Sequence, residues 1–192
     1  MNDEALSPED SLKLIQAMIS KAKETFADNS YYFLLWGWLV FAACIGQFVL
    51  KAIFNSPYHP VVWCVNIPGI VFSLTRVLKG NKTLVARGYV TAILDYLWAG
   101  IVLSFILFGF VCARMGWQNC YMLYMLLYAM GSFVTGRLLR FAPLVWGAAA
   151  SAALAFITTF TTFNINILLC AAAVALCYII PGYMLKATYK KQ

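Results

Sequence analysis

Six apolar stretches of about 18–23 residues hold almost none of the chain's charge, and each is long enough to cross a bilayer core of roughly 30 Å as a helix. Lipid offers a backbone no hydrogen bonds, so a chain immersed in it must form helices or a closed barrel. These stretches run on continuously and lack the alternation of barrel strands. The sequence therefore predicts an all-α polytopic membrane protein. Six transmembrane helices are expected near residues 31–50, 61–78, 90–112, 119–137, 142–162 and 165–185, preceded by an N-terminal amphipathic helix. Composition agrees, since 63% of the 192 residues are hydrophobic and 11% are charged. A soluble domain of this size has too little interior to hide so much apolar surface.

The basic residues outside the stretches sort by side. Twelve of the fourteen fall on one side: Lys13, Lys21, Lys23, Arg76, Lys79, Lys82, Arg87, Arg137, Arg140, Lys186, Lys190 and Lys191. Only Lys51 and Arg114 fall on the other. The positive-inside rule then predicts that both ends are cytoplasmic. Three parts are expected: a cytoplasmic tail over 1–30, a transmembrane bundle over 31–185 and a basic cytoplasmic tail over 186–192. The expected location is a bacterial inner membrane. The first thirty residues are polar and hold Asp3, Glu4, Glu9 and Asp10, so a cleavable signal is not expected. The net charge of +7 sits at span ends, beside anionic headgroups, and no nucleic-acid partner is expected.

Residues 7–26 read as a separate helix. Ser7 suits the cap, Pro8 the first position, and Glu9 and Asp10 the positive end of the dipole. Leu12, Ile15, Ile19, Ala22 and Phe26 recur at spacings of three and four, with Leu14 and Met18 widening the stripe. Such a helix beside a membrane lies in the interface. The same spacing also fits a seam for a membrane or cytoplasmic protein partner, or for a second copy of the chain. Asp28, Asn29 and Ser30 offer a cap for the first span, and Tyr31, Tyr32, Phe33, Trp36 and Trp38 form an aromatic belt.

Helix packing is legible in small residues four apart. Ala42 and Gly46, Ser132 and Gly136, Gly147 with Ser151 and Ala155, and Ala171 with Ala175 follow this spacing, which lets helix backbones approach closely in lipid. Tryptophan–glycine pairings early in the first, third and fifth spans, with Pro68-Gly69 and Pro181-Gly182 in the second and sixth, point to three related hairpins. Cys44, Cys64, Cys170 and Cys177 read as small apolar packers. Cys112 and Cys120 flank the loop on the weakly charged side, where an oxidising compartment would let them pair.

Few residues carry chemistry. Asp95 is the lone carboxylate beyond Asp28. Burying its charge costs at least ~2.5 kcal/mol, so it should face the bundle interior and be paired or protonated, with Trp98 on the same helical face. Gln47, His59 and Asn66 gather toward the weakly charged side. Asn66 just precedes Pro68, which frees a carbonyl as in broken transporter helices. Tyr121, Tyr124 and Tyr128 recur along the fourth span, where they either line an aromatic ligand cavity or pack helices. The candidates for binding a ligand or ion are thus Asp95, Trp98, Asn66, Pro68, Gln47, Tyr124 and Tyr128. The sequence holds no nucleophile–base pair, glycine-rich phosphate loop or metal-ligand cluster, so neither catalysis, nor a metal, nor a cofactor is expected.

In size, span count and placement of its ends the chain resembles the substrate-binding subunits of energy-coupling-factor vitamin transporters. Their partner-facing small-residue surface is similar to Ala42 and Gly46. The resemblance is one of architecture, without a vitamin-specific loop motif. Two functional expectations follow. The first is a non-enzymatic binding or regulatory protein working through the bundle and the N-terminal helix. The second is a small transporter or transporter subunit that uses Asp95, with Pro68-Gly69 as a gate.

Overall fold

The computed structural model describes residues 8–28, 30–80, 89–117 and 120–189. Ser7, Asn29, Lys82, Arg87, Gln118, Asn119, Lys190 and Lys191 lie outside these residues. Every regular element among those described is helical. Helix α1 spans Pro8–Asp28, with proline at its first position and Glu9 and Asp10 in its first turn. Helix α2 spans Ser30–Phe48 and runs on into a π-helical turn, Val49–Ile53. A 3₁₀ segment, His59–Val65, leads into α3, Asn66–Gly80. Then come α4 (Tyr89–Met115), α5 (Cys120–Leu138) and α6 (Ala142–Ile157). Helix α7 (Phe163–Val174) passes through a second π-helical turn, Ala175–Ile179, into α8, Ile180–Tyr189.

Four helical segments are long and apolar enough to cross a membrane: Phe33–Ile53, Tyr89–Arg114, Ala142–Phe160 and Phe163–Ala187. The other two expected stretches are helical but do not meet both criteria. The second is an apolar but shorter helix among the described residues, His59–Thr75, and its first turns are 3₁₀. Helix α5 has 19 residues, but Tyr121, Tyr124, Tyr128 and Arg137 dilute its apolar character.

The core lies among α2, α5, α6 and the α7–α8 helix. Val40, Cys44, Met125, Leu144, Ala155, Ile167, Cys170, Val174 and Cys177 are among its buried residues. The expected small-residue face of α6 is buried, with Gly147, Ser151 and Ala155 all inside. A methyl group on Gly147 would strike the Leu176 carbonyl oxygen, so this glycine lets α6 reach the backbone at the second π-helical turn. There the Cys177 thiol donates to the Gly147 carbonyl at 3.1 Å. Pro181 is buried just beyond that turn, and the wider ring, with the Ile180 N–H on the Ala175 carbonyl, carries the helix past a residue that cannot donate. Pro68, by contrast, is exposed, and Trp146 is 75% exposed while Trp36 and Trp98 are half-buried. The matching motifs of the suggested three hairpins therefore sit in unlike surroundings.

Helix α4 lies at the edge. Leu94, Ile101 and Cys112 face inward, while Val102, Leu103, Ile106, Leu107 and Phe110 are exposed. Cys112 and Cys120 form a disulfide, Cα–Cα 5.9 Å, that ties the end of α4 to the start of α5. Cys44, Cys170 and Cys177 are free and buried, whereas Cys64 is exposed on the 3₁₀ segment and is not a packer.

Helix α5 ends in a tight turn. The Phe141 N–H bonds the Gly136 carbonyl at 2.8 Å and the Arg140 N–H bonds the Arg137 carbonyl at 3.2 Å, with Arg140 left-handed at φ 49°. This is the turn that usually places glycine after a helix, and a side chain there costs about 1 kcal/mol or more. Helix α1 docks nearby. Ala22 packs with Leu94 and Leu139, while Leu12, Leu14, Ile15 and Met18 stay exposed.

Candidate functional site

Gln47, in the last turn of α2, is 3% exposed and forms the hub of a polar cluster. Its Oε1 accepts from the Trp63 indole at 2.6 Å and from the Tyr121 hydroxyl at 2.5 Å. Its Nε2 meets His59 Nδ1 at 3.1 Å. The cluster joins α2, the 3₁₀ segment and α5. The Phe163 ring of α7 closes it, edge-on to Tyr121 at 5.6 Å and to His59 at 6.0 Å.

The donor inventory sets the protonation of this cluster. An indole N–H can only donate, so the Gln47 oxygen must face Trp63. The amide nitrogen then faces His59, whose Nδ1 must accept, and the imidazole proton sits on Nε2. His59 is thus held neutral. Partial burial, and then the charge of Lys51, push its pKa below the ordinary value. The arrangement can clamp four elements at one end of the bundle and can register a proton there.

Asn66 borders the cluster. Its Nδ2 donates to the Trp63 carbonyl at 3.1 Å, and its buried Oδ1 has no hydrogen-bond partner among the described residues. Pro68 is the third residue of α3. It follows the 3₁₀ segment without a break, inside the helical stretch His59–Thr75. Gly69 is buried where a methyl group would strike Leu39, and it seats α3 on α2.

A second group of side chains fills the middle of the bundle. Phe33 stacks on Tyr178 at 4.4 Å, and Trp98 meets both rings edge-on at 5.8 and 6.0 Å. Tyr128 meets Tyr178 at 5.2 Å and Phe105 at 4.9 Å. The Tyr124 hydroxyl reaches the Phe105 carbonyl at 3.5 Å. Tyr124 and Tyr128 of the α5 stripe are therefore taken up in packing against α4 and the second π-helical turn, while Tyr121 belongs to the Gln47 cluster.

Asp95 stands apart from both groups. It is exposed, although the cost of a charge in lipid predicts an inward-facing side chain. Successive helical residues point about 100° apart. On the peripheral α4 the inward direction belongs to Leu94 and Ile101, with Trp98 half-buried beside them and Asp95, about 60° further round, exposed. The structure thus brings Gln47 and Asn66 to one end, sets Trp98, Tyr124 and Tyr128 in the ring core, and leaves Asp95 and Pro68 outside. Trp63, Phe163 and Tyr178 complete these groups without standing out in the sequence. Among the described residues, no three His, Cys, Asp or Glu come together as a metal site.

Comparison of the chain with family models, curated proteins and solved structures gives no match.

Proposed function

We propose that the chain is a six-span protein of a bacterial inner membrane, with both ends cytoplasmic, that acts without catalysis as a binding or regulatory protein. The observation that carries this reading is the placement of α1. Ala22 holds its C-terminal part to the bundle, while Leu12, Leu14, Ile15 and Met18 stay exposed beside the end where the basic residues collect. A helix docked by one patch can lie on the bilayer through the rest of its apolar stripe and answer to events there.

Six crossings draw support from the connections. Helix α5 is tied to the end of α4 by the disulfide and joined to α6 by the turn at Arg140, so it runs back between two helices that are each long enough to span. The disulfide lies on the weakly charged side, as an oxidising exterior would require. The transporter reading keeps less support. Asp95 lies on the outer face of α4.

Phosphatase fusions test the topology. Fusions after residues 56 and 116 should be active and those after 80, 140 and 189 inactive; an active fusion after 189 would overturn it. A fluorophore placed at Ile15→Cys, in a protein otherwise free of reactive thiols, should emit as from a lipid interface in liposomes. An emission like that of the same fluorophore in water would remove α1 from the membrane and the regulatory reading with it.

A further inference from the structure

The end of the bundle that collects the basic residues carries two clefts that share one side chain. The larger, about 410 Å³, is lined by Gly136, Arg137, Arg140, Phe141, Ala142 and Val145. The smaller, about 190 Å³, lies between α1 and the α5–α6 turn and is lined by Gln16, Ile19, Ser20 and Arg140. Arg140 is the hinge between them. Its φ of 49° is a conformation that glycine adopts freely and arginine does not. A long cation therefore occupies the one position of the turn where the backbone favours having no side chain.

No carboxylate of the described residues lies within ion-pair distance of Arg137 or Arg140. Asp10 of α1 lies instead 3.8 Å from Lys13. Gln16 and Ser20 are one turn apart on α1, so an amide and a hydroxyl face the same cleft as the guanidinium. Two guanidiniums, an amide and a hydroxyl are all donors to an anion, and the planar fork of arginine suits phosphate oxygens. We propose that Arg140, with Arg137 beside it and Gln16 and Ser20 across the cleft, forms a binding site for a phosphate group. At this end of a membrane bundle the ready source is an anionic phospholipid headgroup, and a soluble phosphate ester offers the same chemistry. Bound phosphate would join α1 to the α5–α6 turn. This deepens the reading of α1 as a regulatory helix and rests on it.

The test uses the full chain in nanodiscs of phosphatidylcholine. Thermal unfolding is followed as phosphatidylglycerol is added to the lipid, or inorganic phosphate to the buffer. The wild-type protein should be stabilised saturably. Arg140→Gly should start more stable than wild type, because the turn relaxes, yet lose the response, with apparent affinity down on the order of tenfold. Gln16→Ala with Ser20→Ala changes only exposed or cleft-lining groups and should weaken the response without a change in the anion-free midpoint. Lys186→Gln, a basic residue outside the clefts, should keep it. A response to phosphatidylglycerol alone supports the site and assigns it to lipid. A response to inorganic phosphate as well supports it and assigns it to a soluble ester. A wild-type protein that responds to neither, or an Arg140→Gly protein and a Gln16→Ala/Ser20→Ala protein that both respond fully, would overturn the proposal. Nanodiscs expose both faces, so this outcome is independent of which way the chain is oriented.

Discussion

Trp63 and Gln47 fix each other's orientation across 2.6 Å. The indole has a donor and no acceptor, so the amide cannot turn round without leaving two donors face to face. That one constraint passes through Gln47 to His59 and holds the imidazole in a single neutral tautomer. Tyr121, on the same oxygen, brings α5 into the arrangement.

Gln47→Leu should therefore be among the costly substitutions of the bundle. It leaves the Trp63 N–H, the Tyr121 hydroxyl and His59 Nδ1 without their shared partner, and a buried polar group left unpaired costs about 1–3 kcal/mol. We expect a total loss of roughly 2–4 kcal/mol, since the His59 end can still reach water. Trp63→Phe removes a donor together with its bond and should cost about 1 kcal/mol. Unfolding in detergent measures both. Equal, small losses would mean that the cluster adds nothing to stability.

The same cluster predicts a pH dependence. The native state holds His59 below its ordinary value of 6.5, so on acidification the unfolded chain takes up the proton first. Stability should be complete above that value and decline as pH falls from about 6.5 toward the native pKa. His59→Gln, which can still accept from Gln47, should flatten the decline. The check is the unfolding midpoint of both proteins across that window. A midpoint that rises on acidification would contradict the assigned tautomer.

Some of this was readable along the chain and some was not. The helices fall where the apolar stretches do, because exclusion from water is a local property that each segment carries in its own composition. The Gly147–Ser151–Ala155 face was legible for a similar reason, since four-residue spacing places three small side chains on one stripe. The π-helical turns were not, because they answer to contacts between helices. The partnership of Gln47 with Trp63 and Tyr121 was half legible. Polar residues gathered toward one end, but an indole and a phenol also read as interface belt until the helices are docked. Asp95 shows the limit most clearly. The cost of a charge in lipid says what the side chain should avoid, but which way α4 is turned and its position at the edge are facts of assembly.

Asp95 then makes a prediction by contrast with its neighbour. It is exposed, whereas Leu94 is 4% exposed against α1 and α5. Asp95→Asn should move stability by no more than about 1 kcal/mol, the usual range for a surface charge and its partner. Leu94→Ala should cost about 2–4 kcal/mol by opening a cavity beneath Ala22. Paired unfolding curves decide the matter. A large loss for Asp95→Asn with a small one for Leu94→Ala would reverse the assigned faces of α4.

Two glycines separate packing from helix propensity. Alanine is favoured over glycine inside a helix by about 1 kcal/mol, so a glycine with room around it should be improved by the change. Gly100, in α4, has no atom within 4 Å of where a methyl group would stand, and Gly100→Ala should stabilise the protein by up to about that amount. At Gly147 the methyl group would meet the carbonyl of Leu176 and the Cα of Cys177, which are backbone atoms and cannot rotate away. Either α6 moves off the second π-helical turn, lengthening the Cys177–Gly147 bond, or the turn itself gives way. Overpacking of this kind costs about 1–3 kcal/mol, more than the propensity returns, so Gly147→Ala should destabilise. The two substitutions are chemically identical and should have opposite signs in the same unfolding assay. If Gly147→Ala proved as harmless as Gly100→Ala, α6 would not be seated on α7 and α8 through this residue, and the close packing assigned to its small-residue face would fail with it.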